Sequence, residues 1–249
     1  MIKHIFSFLS DPYSYFATGQ SETIREKFVM LRNIYLIAFC TSIIVILLTH
    51  YIDLILQLRP GTSVYQNLVN NRSDFRQANS TLNIFLKMNL IGPLNEELLF
   101  RSLLISEPYF LRFGILLVFI EYFIPTVFQF STSSYWYSLF LILGFGGAIF
   151  FEKYSTMGDL VFKGKTYNYF FWSSILAFAI SHLGNFFPLN ASIFFLYPIL
   201  VLPQLIYGIV LSYVAVRYNS IVWPIFLHVA INLTPEILIW LNVLFHEFA

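Results

Sequence analysis

Glu96, Glu97 and Arg101 fall within six consecutive residues, Glu96-Glu97-Leu98-Leu99-Phe100-Arg101, inside an otherwise apolar stretch. Burial raises the pKa of a carboxylate that lacks a cationic partner, which is the condition for a general base near neutral pH. Adjacent residues on a helix project about 100° apart, so the two acids face different neighbours. Glu97 and Arg101 are spaced i,i+4 and share a helical face, which predicts an ion pair between them. Glu96 is then directed elsewhere and is the candidate base. The bland alternative is an interfacial anchor on a helix that skims the membrane.

Two further positions carry compatible chemistry. His182 ends the run Phe178-Ala179-Ile180-Ser181-His182, and His228 and Asn232 stand i,i+4 in His228-Val229-Ala230-Ile231-Asn232. Two polar groups on one face of an apolar helix point to a shared partner. A lone histidine such as His182 is more often a packing residue. Together, two imidazoles and a carboxylate allow two hydrolytic arrangements. Glu96, His182 and His228 can hold Zn2+ with an open position for water. Alternatively, the carboxylate and one histidine activate water directly, while the other histidine and Asn232 donate hydrogen bonds to a developing oxyanion. A proton relay would use the same residue types.

The elements that must position these groups are membrane helices. Hydrophobic residues make up 58% of the 249 residues and charged residues 11%, with a mean hydropathy of +0.72. A charge at the bilayer centre costs about 3 kcal/mol on insertion scales, so the acidic cluster requires a reason. Long continuous apolar runs indicate an all-α polytopic transmembrane helical bundle rather than a barrel of short alternating strands. A net charge of +1 gives no sign of a nucleic-acid partner, and the single cysteine, Cys40, excludes a disulfide framework.

Seven spans are expected, near 33–58, 81–105, 110–130, 135–151, 168–187, 191–216 and 221–245, or eight if Gly92-Pro93 divides the second. A proline restarts a helix well in its first turn, so a break is expected there. Residues 1–32 read as a cytosolic amino-terminal arm and 33–249 as one integral membrane domain. Lys3, Arg25, Lys27, Arg32, Arg112, Lys153, Lys163, Lys165 and Arg217 fall on one side of this topology, and Arg59, Arg72 and Arg76 on the other. That bias places the amino terminus in the cytosol.

The three polar stretches, in this order, resemble the CPBP family of intramembrane proteases, named for CAAX prenyl proteases and bacteriocin-processing enzymes. The family pattern is Glu-Glu-x-x-x-Arg, Phe-x-x-x-His and His-x-x-x-Asn or Asp. Pro93, Phe100, Gly208 to Ser212 and Trp223-Pro224-Ile225 are also similar to typical members. The resemblance covers about 90–233. It departs from the family in spacing, since 86 positions separate Glu96 from His182, with an apparent extra pair of spans at about 110–151. Ser102 also stands where glycine is common. His182 falls late in its span and His228 early in a span expected to run parallel, which leaves their depths mismatched.

The resemblance implies an endopeptidase that hydrolyses a peptide bond of a membrane-associated substrate. Glu96 would activate water with help from His182, and His228 and Asn232 would stabilise the oxyanion. Glu97 and Arg101 would support the helix. A metalloprotease-like zinc mechanism and a metal-free glutamate mechanism both fit these residues. The implied partners are membrane lipids and a peptide or protein substrate, including a lipid-modified one, and the short loops suggest a bacterial cytoplasmic membrane. The competing classes are an ion- or proton-coupled transporter, which predicts inverted repeats, and a catalytically inactive membrane scaffold. No repeat occurs, and none of the motif residues is missing.

Overall fold

The computed structural model describes residues 2–18, 22–55, 81–105, 163–186 and 191–247, with single positions 63, 70, 73, 77 and 189. The described residues are helical and contain no strand. They form α1 (Ile2–Ser10), α2 (Pro12–Thr18), α3 (Ile24–Ile55) and α4 (Thr81–Leu86). A π-helical turn, Lys87–Ile91, joins α4 to α5 (Gly92–Arg101). There follow α6 (Gly164–Ser181), α7 (Tyr197–Leu200), α8 (Leu202–Tyr218) and α9 (Val222–Glu247). The spans expected at 110–130 and 135–151 lie outside the described residues.

Two helical stretches, Ile24–Ile55 and Phe194–Tyr218, are long and apolar enough to cross a membrane, each with a mean hydropathy of 2.1. On α3 the residues Leu31, Ile34, Ala38, Val45, Thr49 and Asp53 are buried, a stripe at helical spacing. Ile43, Ile44, Leu47 and Leu54 are exposed, as a lipid-facing surface requires. This helix starts upstream of the expected Asn33. Its start is a capping box: the Thr23 hydroxyl accepts from the Glu26 amide at 3.3 Å, and Glu26 Oε2 accepts from the Thr23 amide at 2.8 Å.

The second expected span does not break at Gly92-Pro93. Gly92 keeps helical dihedrals, and its N–H reaches back five residues to the Lys87 carbonyl. The chain widens into a π turn instead of stopping. Gly92 is required there, because a Cβ would stand 2.9 Å from the Lys87 oxygen.

The chain folds into two compact units. One comprises Met1–Gln20, Leu94–Ser174 and Ser212–Ile225, and the other Ser21–Pro93, Ile175–Leu211 and Phe226–Ala249. In the first, the fully buried Phe8 ring meets Phe171 at 5.0 Å and Tyr213 at 4.9 Å, both edge to face. These aromatic contacts fasten the amphipathic α1 to α6 and α8. Asp11 accepts a hydrogen bond from Asn168 Nδ2 at 3.0 Å, and Asn168 Oδ1 accepts from the Tyr13 amide at 3.0 Å. The Asn168 bond, with lesser help from Ser14 and Tyr13, holds the Asp11 carboxyl below its ordinary pKa against desolvation, which pushes it up. In the same unit α8 ends in a Schellman turn. Asn219 is left-handed (φ 44°), and Ser220 N–H donates to the Ala215 carbonyl at 3.1 Å.

In the second unit Phe186, Leu196, Tyr197 and Leu200 form a core with Ile52 and Leu183 against it. Hydroxyl bonds align its helices: Tyr35 with Thr234 at 2.6 Å, and Ser42 with Tyr207. Gly208 brings α8 close to α6, since a Cβ there would lie 3.2 Å from Ile175 Cγ2 and 3.4 Å from its carbonyl.

Candidate active site

The acidic motif occupies α5 in the first unit. Glu97 Oε2 lies 3.3 Å from Arg101 Nε, and both side chains are fully buried. The i,i+4 ion pair expected from the spacing is therefore formed within one helix. Arg101 also lies over the Phe100 ring, 5.8 Å from its centroid, within reach of a cation–π attraction. Glu96 differs from its neighbour in being half-buried. The end of α5 is held by α6, where Ser174 Oγ donates to the Phe100 carbonyl and the Tyr167 hydroxyl donates to the Leu104 carbonyl at 2.7 Å. A helix end leaves its last carbonyls without intrahelical donors, and these hydroxyls supply them. Leu98, Ile105, Ala215 and Ile221 pack the same helix end on the apolar side.

The histidine motifs lie in the second unit. His182 is half-buried and begins a 3-10 turn, His182–Phe186, immediately after α6. Its Nδ1 is 2.8 Å from the Phe178 carbonyl, one of the last carbonyls of α6. A carbonyl only accepts, so Nδ1 is the donor in this contact. The orientation of the His182 ring is thus set by a helix end.

His228 is buried on α9. The Phe178 ring lies 4.6 Å from the His182 ring and 6.0 Å from the His228 ring. One aromatic side chain therefore lies beside both imidazoles. The helix α6 begins at Gly164 and ends at Ser181, so His182 stands just past its end, as late as the span boundaries place it.

Asn232, one turn beyond His228, donates its Nδ2 to the Met88 carbonyl at 2.9 Å. The π turn explains the pairing. Gly92 N–H is taken by Lys87, and the next donor in that pattern would be residue 93, a proline with no N–H. The Met88 carbonyl is left without a backbone donor in an apolar setting, where such a group is costly. Asn232 satisfies it across 144 positions of sequence.

Each motif thus has its own partners inside its own unit: Glu97 with Arg101, His182 with Phe178 and through it His228, and Asn232 with Met88. The sequence carries no signal for the place of Phe178 beside both imidazoles or for the π turn at Lys87–Ile91. In the sequence Phe178 is one member of a motif, and Gly92-Pro93 reads as a stop signal. Zinc would require Glu96, His182 and His228 as a common donor set. Among the described residues no three His, Cys, Asp or Glu side chains are grouped to hold a metal ion.

Two helical stretches long and apolar enough to cross a membrane, with buried polar groups set among apolar helices, point to a helical membrane protein. The family model described as type II CAAX prenyl endopeptidase Rce1-like matches residues 78–234, more than half of the chain, and the chain belongs to that family. It is accordingly an integral membrane protease that acts on membrane-associated protein or peptide substrates. No curated protein and no solved structure gives a significant match.

Proposed function

We propose that the protein is an intramembrane endopeptidase in which Glu96 removes a proton from the attacking water with help from His182. His228 and Asn232 stabilise the oxyanion of the tetrahedral intermediate. The proton taken from water is returned to the leaving amine as the peptide bond breaks. Glu97 and Arg101 maintain the helix that carries the base.

The observation that carries this reading is the division of labour within one dipeptide. Glu97 is fully buried against Arg101 at 3.3 Å, whereas Glu96 is half-buried on another face of the helix. Glu97 is engaged in holding the helix through that ion pair, which assigns the general-base role to Glu96. The Phe178 carbonyl supports the same chemistry by orienting the His182 ring through Nδ1. The substrate is a membrane-associated peptide, including a lipid-modified one, and the setting is a bacterial cytoplasmic membrane with the amino terminus in the cytosol.

The test is cleavage of a farnesylated CAAX peptide by the full chain in proteoliposomes. Glu96→Gln is expected to lower kcat by about 10³-fold or more, and His228→Ala by about 10²-fold. Both variants should retain the melting temperature of the wild type to within a few degrees. Undiminished cleavage by Glu96→Gln and His228→Ala would overturn the proposal. Activity lost to a chelator and restored by Zn2+ would replace the metal-free mechanism with a metal-dependent one.

A further inference from the structure

Asn89 lies in the π turn and takes no part in the chemistry above. It is only 2% exposed, and its Nδ2 has no hydrogen-bond partner among the described residues. A buried amide donor left unmatched is destabilising, and native proteins keep such groups for a reason, commonly a ligand or a catalytic role.

The position of Asn89 supplies that reason. Its backbone nitrogen is bonded to the carbonyl carbon of Met88, and the Met88 oxygen accepts from Asn232 at 2.9 Å. Peptide geometry therefore starts the Asn89 side chain within about 4 Å of the oxygen that Asn232 holds. His228 stands one helical turn from Asn232 on the same face. A π turn inserts an extra residue into a helix, and such turns concentrate at functional sites. Here the insertion both exposes the Met88 carbonyl to Asn232 and places a second amide beside it.

We propose that Asn89 is a substrate-binding residue whose side-chain amide donates a hydrogen bond to a backbone carbonyl of the bound peptide, beside Asn232 and His228. This rests on the endopeptidase reading. The ligand must be an acceptor, because the unmatched group is a donor. It is a neutral one, because Nδ2 carries no charge to offset an anion. An extended peptide entering an apolar site brings backbone carbonyls that have lost their water, and each needs a donor.

The test compares wild type and Asn89→Leu, as full chains in nanodiscs, with a fluorescent farnesylated CAAX peptide as the probe. Three quantities are read: KM and kcat of cleavage, anisotropy-detected binding, and melting temperature. Asn89→Leu is expected to raise KM and weaken binding about 3- to 10-fold with kcat changed less than about 2-fold. Its melting temperature should equal or exceed that of wild type, because an apolar side chain of similar size removes an unmatched donor. A structural asparagine would show the opposite, a lower melting temperature with KM unchanged, and that result overturns the proposal. Should Asn89→Leu fail to fold, Asn89→Ala is read in the same way. Peptide binding that depends on Asn89 without any cleavage by wild type sinks the endopeptidase reading and leaves the donor in place. Cleavage abolished by Glu96→Gln with an unchanged KM in the Asn89 variants sinks the donor alone. No binding of the peptide to wild type overturns both.

Discussion

The two polar regions of this protein solve the same problem in different ways. Both set hydrophilic groups among apolar helices, where water is scarce and each such group needs a protein partner. The acidic region solves it locally. Glu97 and Arg101 neutralise each other across one turn of α5, so the pair forms wherever the helix forms. The histidine region solves it at long range. His182 takes a carbonyl at the end of α6, Phe178 spaces it from His228, and Asn232 takes the Met88 carbonyl that Pro93 leaves open. Local pairing makes a helix tolerable in a membrane. Long-range pairing fixes one helix against another, which is what a site built from several helices requires.

This contrast can be broken in order of expected effect. Arg101→Met leaves Glu97 as a buried charge and is expected to cost about 3–5 kcal/mol. The double variant Glu97→Leu/Arg101→Met should recover most of that loss, because replacing a whole buried pair by apolar residues is often neutral. Denaturation in detergent reads both, and a double variant as unstable as Arg101→Met would show that the pair is not self-contained.

The long-range contact should respond differently. Asn232→Leu strips the Met88 carbonyl of its donor and is expected to cost about 1–3 kcal/mol. Adding Pro93→Ala to that variant restores a backbone N–H in the π pattern and should return part of the stability. If Pro93→Ala instead deepens the loss, the account of the Met88 carbonyl is wrong.

The smallest effect belongs to the amino-terminal arm. The Asp11 pKa is lowered in the folded protein, first through Asn168. A depressed carboxylate contributes its stability above its unfolded pKa and loses it as pH falls through the folded value. Proteolysis of the arm should therefore be slow at neutral pH and quicken below about pH 4. Asp11→Ala should show the faster rate at both, and a pH response retained in that variant would assign the effect to another group.

Much of this was legible in the residues. The pairing of Glu97 with Arg101 followed from i,i+4 spacing, and the helical class from long apolar runs. The start of α3 was also legible, since Thr23-Ile24-Arg25-Glu26 is a capping box. Hydropathy alone set that boundary at Asn33, because polar residues at the start of a helix lower the average without weakening the helix. Gly92-Pro93 misled for a related reason. Both residues commonly end helices, yet a π turn accommodates the missing N–H when a side chain elsewhere supplies the donor.

The sequence by itself determined what depends on neighbours along the chain: helix class, the internal ion pair and the order of the three motifs. Only the tertiary structure decided the rest. It oriented the His182 ring through the end of α6, set the Phe178 ring beside both His182 and His228, and gave Asn232 the Met88 carbonyl. Those outcomes depend on which backbone groups are left without partners after the helices form, and on which distant side chains packing brings within reach. Spacing along the chain encodes neither.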